Sequence, residues 1–431
     1  MVINMNNRRL SSYIIPSVIS MVIVGTYTNI DGLFIGNTVG DPGLAAINIV
    51  WPIVAFITSL GTGIGVGGSV IMSSLRGSGE DKDAERVKGT TLRLLICAGL
   101  LIGAIFTLLH RPLLRMMGAD GEVFTYAADY ALIVSSGAVF QVLGSGLIAI
   151  LRNEGQTYRA MLYSLLGLVV HILLDIALTS RYLLLGVAVS TVVSQLIIAA
   201  ACMVSLTRNG AGIIRSASMG FVPRILKASA APLGINFVPS VVLLFTNSFA
   251  LSVGGVAAVS AYAVMSYAVY TFDYIFQGVC DGAQPVISYC RGSGDIRGQR
   301  RAAICAAKVI AVCAIGFSAL TPLMICFLPK LFSVSAEAGQ MMRRGLMIYS
   351  IAYPFKAAAK FICSYFYAVD EQRISSLLIY LDPLLLTPLS LALLTRLGTD
   401  GLWWSLTATQ LILTLASAAA LIRHRHKSEL I

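Results

Sequence analysis

The chain has 431 residues, 57% of them hydrophobic and only 12% charged, with a mean hydropathy of +0.82. Soluble domains carry roughly one-quarter charged residues, so this composition excludes a soluble enzyme or binding domain and specifies a polytopic membrane protein. The net charge of +11 does not indicate nucleic acid, because basic loops on one side of a bilayer satisfy the positive-inside rule and contact anionic lipid.

A membrane-spanning helix needs about 20 mostly apolar residues, and twelve candidates are predicted in chain order. The first six cover 13–38, 44–75, 92–112, 123–150, 160–180 and 183–206. The second six cover 227–252, 256–290, 303–328, 340–368, 374–395 and 400–422. A polar stretch precedes the first span, which is too long for a signal-peptide core and is expected to stay in the mature protein. Between the two sets, Thr207 to Arg224 is rich in Gly, Ser and Arg and contains Pro223, as expected of a linker. The predicted organisation is therefore all-α, with two pseudo-symmetric six-helix lobes at 1–206 and 225–431, a cytoplasmic linker at 207–224 and a basic cytoplasmic tail.

An internal repeat supports this division. Arg76 to Glu80 reads RGSGE and Arg291 to Asp295 reads RGSGD, an offset of 215 residues that also relates Gly63 to Gly278, Gly67 to Gly282 and Ser73 to Ser288. So long a period indicates duplicated lobes rather than a solenoid, and duplicated hydrophobic lobes are a common transporter plan. Each RGSG stretch is expected at a helix exit, its arginine meeting the lipid headgroups. With the N-terminus inside, 22 Lys and Arg residues fall on the cytoplasmic side, Arg152 among them, against seven outside. Both termini are therefore expected in the cytoplasm.

Gly63 to Gly68 formally matches G-x-G-x-x-G, but no strand precedes it, so the dinucleotide reading lacks its context. Gly61, Gly63, Gly65 and Gly67 instead suit close helix packing. Eight cysteines lie in or beside apolar spans without a C-x-x-C pair, as expected of small packing residues rather than a disulfide framework or zinc site. The RHRHK run at Arg423 to Lys427 follows the last span as a topological anchor.

Ionisable groups within spans are costly and mark ion or substrate paths. The acidic candidates are Asp31, Asp175, Asp273, Asp281 and Asp382, and the basic ones are His171, Lys356 and Lys360. Asp31 has no Lys or Arg near it in sequence, so it is expected to favour protonation and to exchange a proton or bind sodium. His171 and Asp175, spaced i, i+4, share a helix face. If that face meets Asp31, the first lobe holds a small cation site. Asp382 precedes Pro383 and suits a helix end. Asp273 and Asp281 are the expected partners of Lys356 and Lys360.

Asp31 with Gly36 and Gly40 in DGLFIGNTVG, followed by Leu44, Ala45 and Ala46, resembles the first helix and loop of the multidrug and toxic compound extrusion (MATE) transporters. Arg152 to Met161, RNEGQTYRAM, resembles that family's loop after the fourth helix. Leu174 and Asp175 resemble its fifth-helix aspartate, and Gln284 and Pro285 its eighth-helix Gln-Pro. The resemblance implies proton- or sodium-coupled antiport of amphipathic compounds from a cleft between lobes, with no cofactor beyond the coupling ion. It also implies a multi-pass monomer in a cell membrane, and short loops suit a bacterial one. By position, Asp31 and Asp175 would be the coupling carboxylates, and Thr191 matches a sixth-helix site threonine. His171 stands where the family commonly has Asn, and it suits protons better than sodium because imidazole titrates near neutrality.

Lys356 and Lys360 share a face where a drug exporter would have neutral residues. With Asp273, Asp281 and Gln284 they form the substrate-binding candidates, expected to favour anionic or zwitterionic cargo. The sequence contains no Walker motif, so ATP is not implied. A flippase for lipid-linked saccharides or precursors is the alternative. An integral-membrane enzyme using His171 and Asp175, or a non-transporting scaffold, are minor ones.

Overall fold

A computed structural model describes residues 7–207, 217–331 and 335–429, and among these there is no strand. Helix α1 is Asn7–Thr38, α2 Asp41–Gly77 and α3 Asp81–Met116. Helix α4 combines Gly121–Ser136 and Ala138–Asn153, bent by 56° at Gly137. The helical segment Thr157–Thr207 is broken by Leu183 into α5 (157–182) and α6 (184–207), and Val222–Gly292 is broken by Gly255 into α7 (222–254) and α8 (256–292). Helix α9 is Ile296–Leu331, α10 combines Ala336–Ser350 and Ala352–Ala368 with a 52° bend, α11 is Gln372–Leu397 and α12 is Thr399–Glu429.

Each of the twelve expected spans coincides with one of these helices once the breaks at Leu183 and Gly255 are counted. Most are longer than the apolar runs; α3 begins eleven residues earlier because its polar first turns, Asp81 to Arg93, continue the helix beyond the hydrocarbon-compatible stretch. Of the expected linker, residues 208–216 lie outside the described residues. Large apolar side chains point outward along the helices, with Leu108 78% and Leu384 77% exposed. Such surface is stable only against lipid.

The 215-residue repeat is written into the turns. Gly40 (φ 75) corresponds to Gly255 (φ 58), Gly79 (φ 83) to Gly294 (φ 70), Gly155 (φ 77) to Asp370 (φ 66) and Leu183 (φ 51) to Gly398 (φ 75). Gly40, Gly255 and Gly398 have ψ of −150, −155 and −152, a region open almost only to glycine. Leu183, with ψ −129, makes the same reversal without that freedom.

The repeated glycines also explain how the halves meet. A Cβ on Gly63 would lie 2.7 Å from Leu233 Cβ and one on Gly278 2.5 Å from Val18 Cα; Gly67 meets Ser229 at 2.7 Å and Gly282 meets Ile14 at 2.6 Å. Every one of these contacts has its mate 215 residues away, so α2 crosses α7 as α8 crosses α1. Further along, a side chain on Gly77 would strike the Tyr289 carbonyl, and one on Gly292 the Ser74 carbonyl. Gly61 and Gly65 face the other way, against Val142 and Gly146 of α4. The G-x-G-x-x-G match is thus a two-sided packing surface, without a strand or nucleotide fold around it.

Candidate functional site

An open cavity of about 1680 Å³ lies between the halves, walled by α1, α2, α4, α5 and α6 on one side and α7, α8 and α10 on the other. Asp31, Arg152, Thr191, Asp273, Gln277 and Lys360 are among its lining residues. Two polar groupings meet this cleft.

The first joins α1 to α5. His171 Nε2 lies 2.7 Å from Asp31 Oδ1 and 3.2 Å from Asp175 Oδ2, with His171 and Asp175 fully buried and Asp31 8% exposed. One ligand atom from each residue lies within 4.8 Å of the others. The i, i+4 spacing puts His171 and Asp175 on one helical face, and that face does meet Asp31. Asp31, which has no Lys or Arg near it in sequence, thus has the His171 imidazole as its neighbour. Thr191 lines the cleft close by, its Oγ1 donating to Val187 O at 3.0 Å. Two residues not foreseen complete the surroundings. The Tyr27 ring packs on His171 at 4.8 Å, and Ser190 contacts both His171 and Asp175. Tyr27 was legible as the residue one turn before Asp31; Ser190 was not, since its approach depends on the reversal at Leu183.

The second grouping lies on α8 and α10. Lys360 Nζ is 2.8 Å from Asp273 Oδ2 and Lys356 Nζ is 3.4 Å from Asp273 Oδ1. Asp273 thus serves both lysines, but the expected pairing of Asp281 with them is corrected. Asp281 Oδ2 instead accepts from Arg152 Nη1 at 2.9 Å, and its Oδ1 accepts from Gln277 Nε2 at 2.7 Å. Two turns separate Asp281 from Asp273 along α8, which carries Asp281 away from the lysines. Arg152 is likewise no exposed loop cation: it is 3% exposed. Gln284 lies outside the cleft lining; it accepts from Asn153 Nδ2 at 3.2 Å and donates to Ser288 Oγ at 3.0 Å. Ser288 in turn donates to Ala368 O at 2.7 Å, and its repeat mate Ser73 donates to Asn153.

Arg76 of the first RGSG stretch does not reach for headgroups either. It pairs with Glu85 at 2.9 Å and Glu154 at 2.8 Å, while Lys88 takes Glu85 at 2.6 Å and Glu154 at 3.2 Å. Burial pushes the Glu154 carboxyl up, but Arg76 and Lys88 outweigh it and hold the group below the usual carboxylate range. Asp382 is the C-cap of the α-helical stretch Gln372–Leu381, and the span continues past it. Asp382 opens a π-helical turn, Asp382–Leu386, in which Pro383 is accommodated, and accepts from Thr387 Oγ1 and, at 3.4 Å, from Gln410 Nε2. Cys202, Cys280, Cys290 and Cys363 are buried as expected, whereas Cys97 and Cys326 are exposed, and all eight cysteines are free. In the tail, His424 lies 3.3 Å from Glu371, while the side chains of residues 425–427 lie outside the described residues.

A family model described as MatE matches residues 16–177 and 232–390. The Multidrug export protein MepA of Staphylococcus saprophyticus is 23% identical over 420 residues, covering 94% of this chain and 90% of that protein. MepA of Staphylococcus aureus is 22% identical over 412 residues, with coverage of 94% and 90%. Among solved structures, an outward-facing multidrug resistance MATE family transporter of the MOP superfamily superposes with a TM-score of 0.89 at 21% identity, covering 97% of this chain and 95% of that one. A MOP superfamily transporter from Pyrococcus furiosus superposes at 0.88, with 21% identity and coverage of 95% and 94%. Since the matched segments fall in both six-helix halves and take in the Asp31, His171 and Asp175 cluster, the chain belongs to the MatE family of multi-pass membrane transporters.

Proposed function

We propose that this protein is a secondary active exporter of amphipathic compounds, driven by proton entry in exchange for cargo. The lobes 1–206 and 225–431 rock about the glycine crossings, exposing the cleft alternately to each side of a bacterial cell membrane, with both termini cytoplasmic. Asp31, His171 and Asp175 carry the coupling proton, and Thr191 sits beside them. Asp273, Lys356 and Lys360 contact cargo in the second lobe. The similarity to multidrug export proteins supports the cargo class.

The imidazole itself favours proton over sodium. His171 Nε2 already stands between two carboxylate oxygens, at 2.7 and 3.2 Å, where a sodium ion would need acceptors rather than a ring N–H. Taking up one proton there neutralises a charge in place. One elementary charge moved across 100 mV supplies about 2.3 kcal/mol, enough for useful accumulation. A flippase for lipid-linked anions is less favoured, because Asp273 already offsets part of the lysine charge in the cleft.

Reconstitution into liposomes tests this, with proton and sodium gradients imposed separately on a fluorescent amphipathic dye. Dye movement driven by the proton gradient and lost in both Asp31→Asn and His171→Asn is expected. Movement on a sodium gradient alone, retained in His171→Asn, would overturn proton coupling. Equal movement without any gradient would overturn antiport.

A further inference from the structure

Adjoining the cleft is a second chamber, partly open, of about 960 Å³ and lined only by residues of the second half. It shares Asp273 and Lys360 with the cleft, so their 2.8 Å bridge forms part of the partition between the two spaces. Beyond that bridge the wall is apolar and aromatic, including Tyr262 and Tyr349, with Lys356 and Asp382 as its remaining charged groups.

The two lysines and two aspartates of this chamber balance in number but not in contact. Lys360 saturates Asp273 Oδ2 and also donates to the Asp273 carbonyl at 3.3 Å. Lys356, by contrast, is only 3.4 Å from Asp273 Oδ1, longer than the roughly 2.7–2.9 Å of a charge-assisted bond. That oxygen is buried and makes no hydrogen bond of good geometry. Lys356 is therefore a second ammonium on a carboxylate that another lysine already neutralises. On α11, Asp382 accepts from the neutral donors Thr387 and Gln410, and the described residues give it no ion pair within contact distance; Lys356 acts on it through space across the chamber. A buried charge lacking a close counter-ion is costly, and a ligand bearing the opposite charge relieves that cost. An apolar cavity with a few convergent polar groups is the usual form of a small-molecule site.

We infer that this chamber is a cargo subsite for zwitterionic amphipaths, whose carboxylate meets Lys356, whose ammonium meets Asp382 and whose apolar body lies against the tyrosines. The inference presupposes export as proposed above and adds to it the charge pattern of the cargo.

Three matched probes test it on the purified full chain in detergent micelles, with empty micelles subtracted. Nε-dansyl-lysine carries both charges, dansylcadaverine is the same molecule without its carboxylate, and dansyl-6-aminohexanoate is the same molecule without its amine. The zwitterion is expected to bind about tenfold tighter than either, as one charge-assisted contact allows. Lys356→Met should bring it down to the amine's affinity while leaving the amine unchanged, and Asp382→Asn should bring it down to the carboxylate's. Lys356→Arg should retain the preference, and the melting temperature of each variant reports folding; if Lys356→Met does not fold, Lys356→Gln takes its place. Equal binding of all three probes, or a loss in the Lys356 variant that is the same for all three, overturns the subsite. Binding is measured without a gradient, so it does not depend on coupling. A failure of proton coupling is thereby separable from a failure of the chamber.

Discussion

Arg152 and Asp281 meet across the two halves at 2.9 Å, with side chains only 3% and 1% exposed. Each comes from a different half of the duplicated chain, and the second Asp281 oxygen is taken by Gln277. Breaking such a buried pair from one side typically costs about 3–5 kcal/mol, because the remaining charge is left without its partner. Asp281→Asn should therefore destabilise the arrangement in which the halves are joined here, seen as a lower melting temperature or greater opening. The double substitution Arg152→Met with Asp281→Leu should recover most of that loss. A single substitution as mild as the double one would show that the pair is solvated in the membrane.

The reciprocal glycine contacts predict a second effect. Gly77 lies against the Tyr289 carbonyl and Gly292 against the Ser74 carbonyl, so Gly292→Val forces the halves apart there. Overpacking costs about 1–3 kcal/mol, which shifts a two-state balance by between about fivefold and about 150-fold. A cysteine placed at Ser145 in the cleft wall, with the native cysteines replaced, should react correspondingly faster with a membrane-impermeant maleimide applied from the side on which Gly77 and Gly292 meet. Gly316→Val, where a Cβ meets nothing within 4 Å, should leave the reactivity unchanged.

Leu183 holds φ 51, ψ −129 where its repeat mate is Gly398 at φ 75, ψ −152. Strain of this kind costs on the order of 1–3 kcal/mol, partly offset in a glycine variant by the greater freedom of its unfolded chain. Leu183→Gly is expected to raise the melting temperature in detergent, and Gly398→Ala to lower it. If Leu183→Gly lowered it, packing of the leucine side chain would outweigh its backbone strain.

Glu154 gives a pH signature outside the spans. Its folded pKa is depressed, so its contribution to stability is fully present above the ordinary glutamate range, about 4.3. That contribution is lost as pH falls through the lowered folded value. The melting-temperature gap between wild type and Glu154→Gln should be widest near pH 7 and close as the pH drops below about 4. A gap independent of pH would assign the effect to packing around Arg76 and Lys88.

Twelve apolar runs, the doubling at 215 residues and the candidate proton carriers were legible in the sequence alone, because lipid demands long apolar helices and penalises any ionisable group inside them. The i, i+4 spacing of His171 and Asp175 likewise needed only helical geometry. Which charge answers which was decided by tertiary structure. Asp31 and His171 are 140 residues apart, Arg152 and Asp281 are 129 apart, and spacing along a helix says nothing about contacts between helices. Arg152 could pass for a loop cation and Asp281 for a partner of Lys356, since charge counting assigns a residue to a side of the membrane but not to a neighbour. The second role of the repeated glycines also became visible only when α2 met α7 and α8 met α1, because a missing side chain acquires its meaning from the backbone that fills its place.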